Sequence, residues 1–297
     1  MTQNNTSRYA SVFRADLFRD RVALVTGGGS GIGRCIAHEL ASLGAMVIIT
    51  GRKIEKLETV STEIREDGGR VGHVAFDIRD ESAVDTAIKG ILDRHARIDL
   101  LVNNAGGQFP APAEGISQKG FETVVRTNLT GGFLVARACY RAFMSSNGGA
   151  IVSILADMWN GMPGMAHSGA ARAGMLNLTK TLALEWAPAG VRVNAVAPGW
   201  VASSGLDTYE GAVKAMIPVL RQSVPLKRLA TEAEVSAAVC FLLSPAAAFI
   251  TGACLAIDGG APLTSSIWPT QDHDRSIPYE GFHRATRPDV LRDSEGT

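Results

Sequence analysis

The sequence predicts an α/β protein: a single domain built on a doubly wound parallel sheet of seven strands, with helices on both faces. Three observations carry this. Strand-like and helix-like segments alternate from residue 21 to residue 257. The strand segments are continuous apolar runs, as expected of strands buried on both faces. A glycine-rich turn, TGGGSGIG (26–33), stands directly between the first run and the first helical pattern. Strands joined through helices of this length return to the same end of the sheet, so they lie parallel.

RVALVT (21–26) is short and β-branched and forms the first strand. Helical spacing of apolar residues follows over 31–43. AMVIIT (45–50) is the second strand. Residues 53–67 have helical period and charge pairs, and RVGHVAFD (70–77) is the third strand. A helix over 80–96 leads to IDLLVNN (98–104), the fourth strand. One long helix is predicted over 117–146. AIVSIL (150–155) is the fifth strand, 166–187 the next helix and VRVNAVAP (191–198) the sixth strand. After a loop with small helices, 231–244 is helical and ACLAID (253–258) closes the sheet. The domain is therefore 21–260, with an extension at each end, 1–20 and 261–297. The tail is expected either as an ordered arm or as a frayed end.

Apolar residues make up 46% of the 297, enough for a large core. Lys plus Arg and Asp plus Glu both number 29, so no charge excess points to nucleic acid or to an anionic membrane. No apolar run is long enough to span a bilayer, and the first residues lack the apolar stretch of a signal peptide. Cys35, Cys139, Cys240 and Cys254 have no CxxC spacing and no paired histidine. They read as reduced, mostly buried thiols in a cytoplasmic protein, and no metal is expected.

The glycine turn carries the first functional signal. After a strand and before a helix, such a turn lets main-chain N–H groups and the helix N-terminus face a pyrophosphate. Gly27, Ser30, Gly31, Ile32 and Gly33 are the candidates there. The second strand ends IITGR. An acid at that place would suit the ribose of NAD, whereas Arg52 suits the 2′-phosphate of NADP. NADP(H) is expected ahead of NAD. Asp77, with Ile78 after it, ends the third strand where the adenine would lie; Asp80 is the better candidate for a helix cap.

These motifs resemble the short-chain dehydrogenase/reductase family over about 21–260. TGGGSGIG matches its TGxxxGxG. NNAG (103–106) matches its fourth-strand motif and adds Asn104, Ala105 and Gly106. NLTG (128–131) supplies its helix asparagine, Asn128, and APGW (197–200) its Pro-Gly, with Pro198, Gly199, Val201 and Ser203 on the nicotinamide side. The resemblance implies a Rossmann-like fold and a homotetramer. NNAGGQF, TNLTGGF, HSGAARAG and the tail QDHD look like the branch containing the peroxisomal trans-2-enoyl-CoA reductases. The start YASVFR looks like that of bacterial relatives assigned to citronellol and citronellal oxidation.

The family reaction uses Asn, Ser, Tyr and Lys. In that frame this chain has Asn128, Leu155, Ser168 and Arg172. Arg172 can still bond ribose hydroxyls but cannot relay a proton at neutral pH. Reducing a ketone needs an acid at the oxygen. Reducing an unsaturated thioester leaves an enolate, which needs only hydrogen-bond donors at its oxygen. Candidate donors are Ser168, His167 and the main chain of 106–109. His167 also reads as a structural histidine. Asp157 would point the same way as Leu155 if the strand continued, and also reads as a solvated loop acid. Tyr209, in the segment after APGW, could swing over the substrate, and also reads as a loop aromatic. Residues 203–220 form the expected lid, with Met216, Ile217 and Leu220 apolar enough for an acyl or isoprenoid chain or for plain helix packing. The expected function is reduction of a trans-2-enoyl-CoA. The alternatives are oxidation of a terpenoid alcohol such as citronellol, or cofactor binding without catalysis.

Overall fold

The structure, a computed structural model, describes residues 8–265, 267 and 270–292. Seven strands form one sheet: β1 (Val22–Thr26), β2 (Met46–Gly51), β3 (Arg70–Ala75), β4 (Leu100–Asn103), β5 (Gly149–Ile154), β6 (Val191–Pro198) and β7 (Cys254–Ile257). Their order is β3-β2-β1-β4-β5-β6-β7 and every pairing is parallel. The chain winds outward from β1 to β3, then crosses back to place β4 beside β1. The crevice between β1 and β4 is thus a topological switch point, where α/β sheets bind ligands.

Alternate residues of each strand point to opposite faces, and the two faces hold separate cores. On one, Val25, Val47 and Val152 pack with Ile36 and Leu40 of α1 (Gly31–Ser42), Leu57 of α2 (Ile54–Glu66) and Val239 of α9 (Glu232–Leu243). On the other, Leu24, Ile48 and Leu101 pack with Ile88 of α3 (Glu81–His95), Val135 of α5 (Gly132–Cys139) and Trp186 of α7 (Ala166–Trp186). The helix starts are chemically marked. Asp80 caps α3 by accepting the Ala83 N–H, as its position in the sequence suggests. Thr231 and Glu234 form a reciprocal capping box at α9.

The helix predicted over 117–146 is one helical run but not one regular helix. It passes through α4 (Gln118–Val125), a π-helical segment Arg126–Gly131, α5, a second π segment Tyr140–Met144 and the short α6 (Ser145–Asn147). Apolar spacing cannot distinguish a π turn, which holds one extra residue, from an α turn. The first π segment carries Asn128.

The end segments pack on the domain. Phe18 lies in the first core. Tyr9 stacks on Phe282 at 5.7 Å, and the Arg34 guanidinium lies 5.0 Å from the Phe282 ring centroid. Arg284 bonds Asp67 and Glu66 at the end of α2. Among the described residues the four cysteines are free, with Cys35, Cys139 and Cys240 buried. No described helix is long and apolar enough to cross a membrane.

Candidate active site

The glycine turn joins β1 to α1 beside the end of β4. Gly27 and Gly31 have φ of +67° and +56°, which glycine adopts without strain. A Cβ at Gly33 would lie 2.4 Å from the Gly27 carbonyl oxygen and 2.3 Å from Asn104 Nδ2. Asn104 explains that closeness: its Nδ2 donates to the carbonyls of Thr26 and Gly27, at 2.9 and 3.2 Å. The Thr26 hydroxyl accepts the N–H groups of Asn104 and Ala105. One threonine and one asparagine therefore tie the turn to the NNAG segment. Ser30 stands before α1 and makes no cap bond, which leaves its hydroxyl and the first N–H groups of the helix to a ligand. Ile32 is half-buried against the first core.

At the adenosine end Arg52 is exposed and forms no ion pair among the described residues. Asp77 does not stand free, because Arg79 grips both its carboxylate oxygens at 2.5–3.1 Å. That hydrogen bonding, ahead of the opposing effect of burial, holds its carboxyl below the usual range, and Arg52 adds to the effect. Ile78 turns its side chain into the core beside Gly131, so its main chain is what it can offer adenosine. Pro198 ends β6, and Gly199 donates its N–H to Ile257; a Cβ at Gly199 would meet Asp258 Cα at 2.9 Å. Val201 is buried and pairs with Ala230, and Ser203 follows at the entry to the lid.

Glu232 was not legible as a site residue. It opens α9, is buried, and its Oε1 is 3.8 Å from where a side chain at Gly31 would begin. Burial pushes its carboxyl up to about 7, with Arg34 pulling the other way.

On the substrate side, α7 brings Ser168 and Arg172 to one face, as their spacing of four requires. Arg172 Nη1 donates to the Ile154 carbonyl at 2.6 Å, at the end of β5. Its Nη2 lies 2.8 Å from where a Cβ on Gly106 would be. Its Nε is buried without a partner, and no described carboxylate pairs with it. Burial lowers its pKa to about 10, so it remains a cation at neutral pH. A half-buried guanidinium with an unpartnered Nε and no counter-charge among the described residues, beside NNAG and the glycine turn, fits a dinucleotide whose oxygens would complete it. Lys180, two turns further along α7, is exposed and lies near Cys254, away from this guanidinium.

Asn128 is buried and bonds Gly107 twice: Oδ1 accepts its N–H at 2.9 Å and Nδ2 donates to its carbonyl at 3.0 Å. Both ends of the amide are thus spent on holding the 106–109 loop. That loop presents Gln108, whose part in the site went unread. The buried Ser168 hydroxyl donates to Gln108 Oε1 at 2.6 Å, and Gln108 Nε2 donates to the Tyr209 hydroxyl at 3.1 Å. The only signal in the sequence was that Gln108 belongs to the GGQF stretch. Leu155 is buried among Met158, Met175, Ala195 and Ala197. His167 is buried, accepts the Ser168 N–H on Nδ1 and packs edge-on against Phe109. That leaves Nε2 to carry the proton, and it has no partner. Asp157 continues past β5, and burial raises its carboxyl, with Asp258 adding to the effect.

In the lid, Tyr209 sits between a 3-10 turn Ser204–Thr208 and α8 (Gly211–Met216). Ile217 does not line a chain-binding surface: it is fully buried with Leu206 and with Val290 of α10 (Asp289–Arg292). Leu220 packs against that cluster and Met216 is exposed.

A family model described as enoyl-(acyl carrier protein) reductase matches residues 27–262. A peroxisomal 2,4-dienoyl-CoA reductase of the (3E)-enoyl-CoA-producing type, from Danio rerio, is 37% identical over 269 residues, 89% of each chain. A solved citronellol catabolism dehydrogenase from Pseudomonas aeruginosa is 60% identical, with a TM-score of 0.78 over 85% of this chain and 99% of that one. A structure assigned as an NAD(P)-dependent gluconate 5-dehydrogenase from Beutenbergia cavernae, with NADP bound at low occupancy, is 34% identical. Its TM-score is 0.77 over 84% of this chain and 100% of that one.

Proposed function

We infer the reaction from a fixed premise: the chain belongs to the short-chain dehydrogenase/reductase family of oxidoreductases. On it we propose an NADP(H)-dependent reductase of a carbon–carbon double bond in an unsaturated acyl-CoA, a 2-enoyl or 2,4-dienoyl thioester. The carrying observation is the occupancy of the positions around residue 168. Leu155 is sealed in an apolar cluster and Ser168 gives its proton to Gln108, so neither offers an acid to a carbonyl oxygen. Reducing a ketone requires such an acid. Reducing an unsaturated thioester needs donors at the thioester oxygen and a proton at carbon, some distance from the oxygen. The second Nε2 proton of Gln108 and the main-chain N–H groups of Gly106, Gln108 and Phe109 would form a donor set of that kind. The Danio rerio relative, a reductase of 2,4-dienoyl-CoA, supports the same class and extends it beyond trans-2-enoyl-CoA.

Bound in the crevice, the dinucleotide would supply the hydride. Gly27, Ser30, Gly31 and Gly33 would hold its pyrophosphate, Arg52 its 2′-phosphate, and Arg172 with Asn104 and Gly106 the nicotinamide half. Arg52, exposed and without an ion pair among the described residues, supports NADP over NAD. The fixed geometry of the loop, set by Asn128, is what would bring substrate and nicotinamide face to face.

A second reading has its own support. The 60% identity with a citronellol catabolism dehydrogenase favours oxidation of a hydrophobic terpenoid alcohol. One assay separates the two. NADPH oxidation is measured with crotonyl-CoA and 2,4-hexadienoyl-CoA, and NADP+ reduction with citronellol. Thioester turnover is expected; citronellol turnover with no thioester rate above background across chain lengths would reject the first reading.

A homotetramer is supported by apolar residues left uncovered on two faces: Leu255 on the edge strand β7 with Phe249 just before it, and Phe121 and Leu184 on α4 and α7. Light scattering tests it. The four free cysteines support a reducing, cytoplasmic setting. We take residues 21–260 as the catalytic domain and the flanking segments as braces, on the packing of Tyr9 and Phe282.

A further inference from the structure

We propose that Tyr209 is the proton donor of the site, delivering its phenolic proton to the α-carbon of the substrate. The inference rests on the thioester reading above.

Gln108 stands between two hydroxyls, and its amide can serve them in only one way at a time. Its Oε1 accepts the Ser168 proton at 2.6 Å, and its Nε2 donates to the Tyr209 oxygen at 3.1 Å. An amide is a donor at nitrogen and an acceptor at oxygen. It follows that Ser168 has spent its proton, while Tyr209 takes part as an acceptor and keeps its own. Among the described residues no acceptor takes that proton. The phenol is therefore the hydroxyl of this chain of three that is free to give a proton.

Its position suits carbon rather than oxygen. Ser168 stands where the family places its tyrosine, at the substrate oxygen. Tyr209 lies one amide length away, on the lid side. In the reduction a hydride, supplied by the dinucleotide, adds at the β-carbon of an enoyl thioester or the δ-carbon of a dienoyl thioester. The electron pair displaced from the double bond collects on the enolate. The Tyr209 O–H bond breaks, a C–H bond forms at the α-carbon and a phenolate remains. Tyr209 is half-buried, so water can return the proton. The lid is held while this happens. Leu206 and Ile217 are buried with Val290 of α10, Tyr209 packs against that cluster, and the Val290 N–H bonds Asp207.

Tyr209→Phe removes only the hydroxyl. NADPH fluorescence titration checks first that the variant folds and binds cofactor like the parent. With crotonyl-CoA or 2,4-hexadienoyl-CoA, kcat is expected to fall about 100-fold, the scale of general acid catalysis, with KM for the thioester little changed. A second readout does not depend on rate. In D2O the parent enzyme should place deuterium on one face of the α-carbon, and Tyr209→Phe should place it on both, because solvent then protonates the enolate. Three results overturn the proposal: an unchanged kcat, a raised KM at unchanged kcat with the stereochemistry intact, or a Ser168→Ala loss as large as that of Tyr209→Phe. A parent enzyme inert with every enoyl and dienoyl thioester overturns the functional reading itself, and the proposal with it.

Discussion

The two halves of the crevice are built differently. The cofactor half, from the glycine turn to NNAG, is held by main chain: carbonyls and N–H groups of residues 26–33 and 103–107, tied by Thr26, Asn104 and Asn128. The substrate half, from β5 through α7 to the lid, is held by side chains from distant segments: Ser168, Gln108, Tyr209 and Arg172. Main-chain geometry tolerates little variation, since one added methyl group collides. Side-chain chemistry can be moved from one element to another while the backbone stays in place. A site can therefore keep its cofactor grip and relocate its acid.

If that contrast is right, damage to the two halves should differ in kind. The largest effect is expected from Gly33→Ala. Its methyl would enter the space of the Gly27 carbonyl and the Asn104 amide, where no flexible end can give way. NADPH binding, followed by fluorescence titration, should fall below detection while the fold survives by circular dichroism. Normal binding would mean that the turn is not the cofactor cradle.

Glu232→Gln probes the cofactor half through pH. The folded carboxyl is raised from 4.5 to about 7 by burial. The folded state therefore favours the protonated form. Below the unfolded value both states are protonated and there is no cost; the cost grows as pH rises from about 4.5 to about 7 and levels off above that, at about 3 kcal/mol. Thermal melts should show Glu232→Gln more stable than the parent near pH 8 and no more stable near pH 4. Equal gains at both would remove burial of the charge as the cause.

Asn128→Ala joins the halves, because Asn128 lies in the substrate half's helix but holds the cofactor half's loop. It frees the N–H and carbonyl of Gly107, which is exposed enough for water to take them up, and leaves a gap where the buried Asn128 amide stood. A loss of about 1 kcal/mol is expected in urea denaturation, with kcat reduced more than cofactor affinity. The smallest effect is expected from Arg52→Ala: KM for NADPH should rise about tenfold, near 1.4 kcal/mol, with NADH unaffected. An equal effect on both would assign Arg52 no part in choosing the 2′-phosphate.

The fold and the glycine turn were legible because their signals are local. A buried parallel strand is an apolar run, its helix follows with a 3.6-residue period, and the turn between them needs glycines at fixed offsets. The seven strands, their order of appearance, the Asp80 cap and the glycine turn lie where those local rules put them. The π turn around Asn128 was not legible, since apolar spacing does not record one extra residue per turn. Ile217 was read as a possible chain-binding residue because an apolar residue on a lid looks the same whether it faces substrate or the segment that pins the lid. Glu232 looked like an ordinary acidic helix start, and its burial beside Gly31 depends on the packing of α9 against α1.

By itself, then, the sequence determined the architecture, the glycine turn between β1 and α1, and the placing of Ser168 and Arg172 four residues apart on one helix face. Those properties reside in neighbouring residues and in backbone conformation. Only the tertiary structure decided that Gln108 joins Ser168 to Tyr209, from which it is separated by 60 and 101 positions, and that Arg172 is half-buried with no described carboxylate beside it. A hydrogen bond acts over about 3 Å, and which distant side chains come that close is fixed by the packing of sheet, helix and lid and is written in no local pattern.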